Sequence, residues 1–151
     1  MGGSGYEQAT SIEQTSEGGY IVVGLTTSND GDVSGNHEDA WVVKLNSTGS
    51  ILWQKCLGEY DCAYLAFSIE QTSDNGYVVA GFRASNEAEE VSGILIKLDN
   101  SGSINWQMCF DESGYDNILY SAKQTSDNGY IVAGASWISE ENADLWLLKL
   151  D

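Results

Sequence analysis

The sequence predicts an all-β fold assembled from repeated four-stranded antiparallel sheets, and three observations predict it. One fourteen-residue pattern occurs three times: SIEQTSEGGYIVVG from Ser11, SIEQTSDNGYVVAG from Ser68 and SAKQTSDNGYIVAG from Ser121. The repeat runs on beyond that pattern, with Lys44, Lys97 and Lys149 inside WVVKL, ILIKL and WLLKL, and Trp53 and Trp106 inside WQKC and WQMC. A period near 50 residues marks solenoids, propellers and arrays. Apolar and polar residues alternate with period two, and no segment carries the helical period of 3.6.

Each unit reads as four strands, a to d. Strand a covers Ala9–Thr15, Ala66–Thr72 and Leu119–Thr125. Its small residues, Ala9, Ser11, Ala66, Ser68 and Ser121, suit a crowded innermost position. The turns Glu17-Gly18-Gly19, Asp74-Asn75-Gly76 and Asp127-Asn128-Gly129 follow, and Gly-Gly and Asn-Gly supply the positive φ of hairpins. Strand b is YIVVGLT, YVVAGFR and YIVAGAS, and strand c holds the lysine segments. Turns of the type NSTGS and DNSGS lead to strand d, Ile51–Leu57 and Ile104–Phe110. The third unit has no strand d before the chain ends at Asp151.

Four-stranded units of this length, rich in Gly and aromatics, match β-propeller blades. The expected blades are residues 6–57, 64–110 and 117–151, in one domain spanning 1–151. Propellers close with four to eight blades, so three form an open arc. Two chains make six. The expectation is therefore a homodimer, the last blade of each chain on the first blade of the other, or an open head-to-tail assembly if the arc does not close.

Composition excludes some partners. Six Lys and Arg stand against 23 Asp and Glu, for a net charge of −17. Nucleic acid needs a basic footprint, so it is not expected. No apolar run approaches the ~18 residues of a membrane-spanning helix, so no membrane insertion is expected. The start, Met1 to Tyr6, reads as carrying no signal peptide. Three cysteines, Cys56, Cys62 and Cys109, read as free thiols, with a Cys56–Cys62 bridge as the alternative.

The candidate site residues lie mostly in the loops joining strands b and c. Ten of the 23 acids are there, among them Glu38 and Asp39, then Glu87, Glu89 and Glu90, then Glu140 and Glu141. Equivalent loops of a propeller share one face, so a negative rim is expected, suited to a cation, a basic protein or a carbohydrate. Trp137 in the third loop is the tryptophan available for a ligand, while Trp41, Trp53, Trp106 and Trp146 read as core. In NDGDVSGNHED, the oxygen-bearing Asp30, Asp32, Ser34 and Asn36 alternate on a tight loop, the way hard cations such as calcium are collected; a solvated polar loop is the alternative. His37, the only histidine, has no nucleophile placed beside it and reads as a surface residue.

The sequence S-I-x-Q-T-S-D-x-G-Y-I-V-A-G … W-V-V-K-L-x-x-x-G-x-I-x-W-Q-K resembles the tandem propeller repeats of bacterial secreted and cell-surface proteins. The resemblance implies a kelch-like or quinoprotein-like propeller, an extracellular or cell-surface location, and a scaffold or binding module rather than an enzyme. The alternatives are a glycan-active enzyme using Glu13 and Glu70, which share a position in strand a, as its two carboxylates, or a designed or excised propeller fragment without natural activity.

Overall fold

The computed structural model describes residues 1–33, 39–58, 61–85, 91–111, 115–139 and 142–151. Those residues form eleven strands and no helix: β1 (Glu7–Gln14), β2 (Tyr20–Thr26), β3 (Asp39–Leu45), β4 (Ile51–Cys56), β5 (Cys62–Gln71), β6 (Tyr77–Ser85), β7 (Val91–Leu98), β8 (Ile104–Phe110), β9 (Asp116–Gln124), β10 (Tyr130–Ser139) and β11 (Asn142–Leu150). They pair as three antiparallel meanders, β1-β2-β3-β4, β5-β6-β7-β8 and β9-β10-β11. The expected strands are all present, and strand a begins earlier than expected in every sheet.

The a–b turns use their glycines differently from expectation. Positive φ falls on Gly18 (83°), Asn75 (64°) and Asn128 (68°), the residue before the last glycine. The carbonyl of Thr72 accepts from Asn75 N at 2.9 Å, and Thr72 N donates to Gly76 O at 2.9 Å. Gly76 is required for a different reason: a Cβ there would stand 2.3 Å from the Leu98 carbonyl of strand c. Only a residue without a side chain lets the turn lie against its own sheet.

The strand-c lysines fold back under these turns. Lys44 Nζ donates to Thr15 Oγ1 at 2.8 Å and pairs with Glu17; Lys97 pairs with Asp74 at 2.9 Å, and Lys149 with Asp127 at 3.1 Å. The acids that pair with these lysines all lie in the a–b turns. Asp74 also accepts from Thr72 Oγ1 and Gly76 N, and these bonds with Lys97 hold its carboxyl at about 2.

The sheets stack in chain order. Ile21, Val23 and Val42 of the first sheet pack on Tyr77, Val79, Ile96 and Leu98 of the second. Val78, Ala80 and Leu95 of the second pack on Leu119, Ala122 and Val132 of the third. Trp53 from β4 meets the Tyr77 ring edge-on at 5.9 Å, and Trp106 from β8 meets Tyr130 at 5.5 Å. The first strand of each sheet is irregular at one repeat position, between Ala9 and Ser11, Ala66 and Ser68, and opposite Ala133/Gly134 in β9. The extra residue there turns toward neighbouring inner strands: Thr10 Oγ1 donates to Ala66 O at 2.6 Å, and the Phe67 and Tyr120 rings lie 5.3 Å apart. The strand-a positions are thus the ones that lie side by side from sheet to sheet.

Candidate functional site

The repeat allows each terminal face to be read against its buried equivalents. Ile21 and Val78 are fully buried, and so are Val42 and Leu95. The same positions in the third sheet are Ile131, 40% exposed, and Leu147, 59% exposed; Leu145 beside them is 79% exposed. Ile131 and Leu147 therefore face outward where the internal repeats bury large apolar side chains against the next sheet, and Leu145 stands exposed where they have the buried Ala40 and Gly93.

The opposite face of the first sheet is less bare than the outer face of the third. Tyr20, Val22 and Leu45 are half-buried, whereas their equivalents Tyr77, Val79 and Leu98 are fully buried. Val33 folds over Trp41 and Val43 and closes part of this face. A cleft of about 240 Å³ remains, bounded by Ala9, Val22, Trp41 and Val43.

A polar fastening recurs at each junction. Ser16 N donates to Gln71 Oε1 at 2.7 Å, and Ser73 N donates to Gln124 Oε1 at 2.8 Å. Each glutamine thus holds the turn of the preceding sheet. Gln14 and Ser126 occupy the two remaining positions of this series, and neither makes that bond among the described residues. Gln14, Gln71 and Gln124 recur inside the fourteen-residue pattern, and sequence reasoning gave them no role. Their identity in all three repeats, on a strand end beside a polar turn, was the signal for a role.

Glu13, Glu70 and Lys123 hold one repeat position and interact between sheets. Glu70 accepts from Lys123 Nζ with one oxygen and from Gln124 N, at 3.1 Å, with the other. Burial pushes the Glu13 carboxyl up, against the Gln71 N–H bond that lowers it, and the Glu70 charge adds to the rise. The Glu70 carboxylate raises the Lys123 ammonium in turn.

The expected cation loop is described only in part. Asp30 Oδ1 accepts from Ser4 N at 2.7 Å, and Asp32 Oδ2 from Gly2 N at 3.2 Å, so both carboxylates tie down the N-terminal segment. Ser34, Asn36, His37 and Glu38 lie outside the described residues, as do Glu87, Glu89, Glu90, Glu140 and Glu141. Among the described residues, no three His, Cys, Asp or Glu side chains cluster closely enough to hold a metal. Asp39 is buried, 6% exposed, with its carboxyl against Gly58. Burial, then the Asp39 charge, pushes the nearby Cys56 thiol up to about 11, which keeps it protonated and unreactive near neutrality. Cys56, Cys62 and Cys109 form no disulfide.

Trp137 lies in a cleft of about 470 Å³ with Phe82, Asp116, Ile118 and Ser139. Its indole N–H is buried without a hydrogen-bond partner. The cleft joins an aromatic surface, a carboxylate and a hydroxyl, a combination that suits small amphipathic ligands. No protein-family model and no curated protein matches the chain.

Proposed function

We propose that this chain is a non-enzymatic, propeller-type scaffold that binds a second copy of itself through its terminal sheet faces. Six sheets then close a ring by two-fold symmetry, within the four to eight that propellers use. The Trp137 cleft is its site for a cation, a carbohydrate or a basic partner, with the acids of the b–c segments as further candidates by sequence. The observation that carries the reading is the exposure of Ile131, Leu145 and Leu147 at positions whose equivalents are buried in both other sheets. Soluble monomers seldom leave such a patch open. In the proposed contact Ser126 N–H meets Gln14 Oε1 of the second copy, continuing the series of bonds at the internal junctions.

The state of the two strand-a carboxylates supports a role without catalysis. A glycoside hydrolase needs one carboxyl as acid and the other free as base or nucleophile. Glu70 has both oxygens engaged by Lys123 and Gln124.

Two variants, each blocking one face, test the reading by sedimentation equilibrium. Leu147→Asp disables the third sheet, and Val22→Asp the first. The expected result is a wild-type dimer, two monomeric variants, and a weaker heterodimer when they are mixed, since the mixture retains one intact pair of faces. A monomeric wild type, or variants that associate like the wild type, would overturn it.

A further inference from the structure

The polar atoms that the third sheet leaves unsatisfied gather in one place. Asn117 is fully buried, and neither atom of its amide has a hydrogen-bond partner among the described residues; the buried Trp137 N–H has none either. The two residues stand on adjacent rungs of one ladder, Asn117 opposite Ser136 and Trp137 opposite Asp116. Such groups are rare in folded proteins, because each gives up its bonds to water without replacing them. Asp116 and Trp137 both line the cleft of about 470 Å³, and Asn117 is flanked by two of its lining residues, Asp116 and Ile118. That volume falls within the ~300–1,000 Å³ of small-ligand pockets. Phe82 of β6 and Val91 of β7 bring the second sheet to the cleft, and Ile118 of β9 and Trp137 of β10 bring the third. Val91 N donates to Asp116 Oδ1 at 3.4 Å and ties the two sheets together there.

The chemistry of this lining discriminates between ligand classes. No Lys, Arg or His lines the cleft among the described residues, and the chain carries a net charge of −17, so an anion finds no partner. Asp116 is the only acid lining it among the described residues, and one oxygen of that carboxylate already accepts from Val91 N. A metal ion takes several oxygen ligands. An ammonium group only donates, so it leaves the indole N–H unmatched. A hydroxyl both donates and accepts. We propose that the cleft binds a neutral saccharide. The C–H face of a sugar ring lies on the apolar wall of Phe82, Val91 and Ile118; one hydroxyl accepts from the Trp137 N–H, and others bond to Asp116 and Ser139, both exposed. This inference rests on the reading of the cleft as a binding site, and it narrows the occupant to one class.

The test is a titration of the whole, nitrogen-15-labelled chain followed by proton–nitrogen correlation spectra, in which each indole N–H gives its own signal. The probes are the methyl pyranosides of glucose, galactose, mannose and N-acetylglucosamine, and the disaccharides maltose, cellobiose and lactose. Calcium and trilysine serve as cationic probes. The Trp137 signal is identified as the one missing from Trp137→Phe. The expected result is saturable binding of at least one sugar, with a Kd on the order of 1 mM, and the Trp137 indole signal among those that move most. Trp137→Phe keeps an aromatic ring and removes the N–H, so it should weaken binding about fivefold, as should Asp116→Ala at its exposed site; an otherwise unchanged spectrum shows that each variant is folded. The affinity should hold from about 0.02 to 0.5 M salt, because the ligand is neutral. No saturation by any sugar up to ~50 mM, an unmoved Trp137 signal, or equal affinity in both variants would overturn the proposal. Calcium or trilysine moving the Trp137 signal while every sugar is silent would overturn it and leave the cleft as a cation site. Silence of all the probes would remove the inference and the reading of the cleft together.

Discussion

Replacing Asp74 by alanine removes one acceptor that three donors share: Thr72 Oγ1 at 2.5 Å, Gly76 N at 3.0 Å and Lys97 Nζ at 2.9 Å. Asp127 serves Thr125, Gly129 N and Lys149 in the same way. The two sites differ chiefly in the lysine, whose side chain is 4% exposed at Lys97 and 39% at Lys149. Without Asp74 the Lys97 ammonium keeps only the Leu98 carbonyl, at 2.9 Å. Two lost hydrogen bonds from neutral donors to this partly exposed carboxylate cost about 1–2 kcal/mol. Stranding a buried charge costs about 3–5 kcal/mol when both partners are buried. Asp74 is itself 57% exposed, so the pair is partly screened and that contribution falls to about 1–2 kcal/mol. The expected loss for Asp74→Ala is about 3 kcal/mol in urea unfolding at neutral pH, with Asp127→Ala losing about half as much. The pH dependence has a fixed sign. The folded Asp74 carboxyl titrates at about 2 against an ordinary 3.8, depressed first by the Thr72 hydroxyl and also by Lys97 and Gly76 N. Its contribution is present above 3.8 and disappears as pH falls toward about 2, so the gap between wild type and Asp74→Ala should narrow across that window. Equal losses for the two variants, or a gap unchanged over those pH values, would refute the reasoning.

Further outcomes follow from the junctions and the turns. Gln71→Ala and Gln124→Ala should each lower chain stability by about 1 kcal/mol. Gln14→Ala should leave the isolated chain unchanged in thermal unfolding and weaken self-association about 25-fold, the equivalent of the two such bonds in a two-fold dimer at about 1 kcal/mol each. Gly76→Ala brings a Cβ to 2.3 Å from both the Leu98 carbonyl and Lys97 Nζ, so it should cost about 2 kcal/mol or more by denaturant midpoint. Asn75→Gly, at φ 64°, should change stability by only a few tenths of a kcal/mol.

The architecture was legible because repetition fixes it three times over. Period-two alternation gave the strands, and the recurring turns gave their order. The shared spacing of Lys44, Lys97 and Lys149 aligned the sheets. What escaped the sequence was polar and non-local. No local pattern says that Gln71 reaches the turn at Ser16, or that Lys97 folds back under Asp74 rather than crossing to another strand. The half-closed first face depended on Val33, a single apolar residue in a polar loop, which pairs with Trp41 and Val43 only once the chain has folded. Asp30 and Asp32 read as cation ligands because alternation of oxygens is a local signal. Their use by Ser4 N and Gly2 N comes from the N-terminal segment lying beside the loop, which no spacing records.

The measurement that bears most directly on the scaffold reading is the mass in solution by multi-angle light scattering, from about 1 to 100 μM chain. The closed dimer predicts a plateau at twice the 16.3 kDa chain mass, reached with rising concentration and not exceeded. A mass that stays at 16.3 kDa throughout, or one that climbs without a plateau, would contradict it.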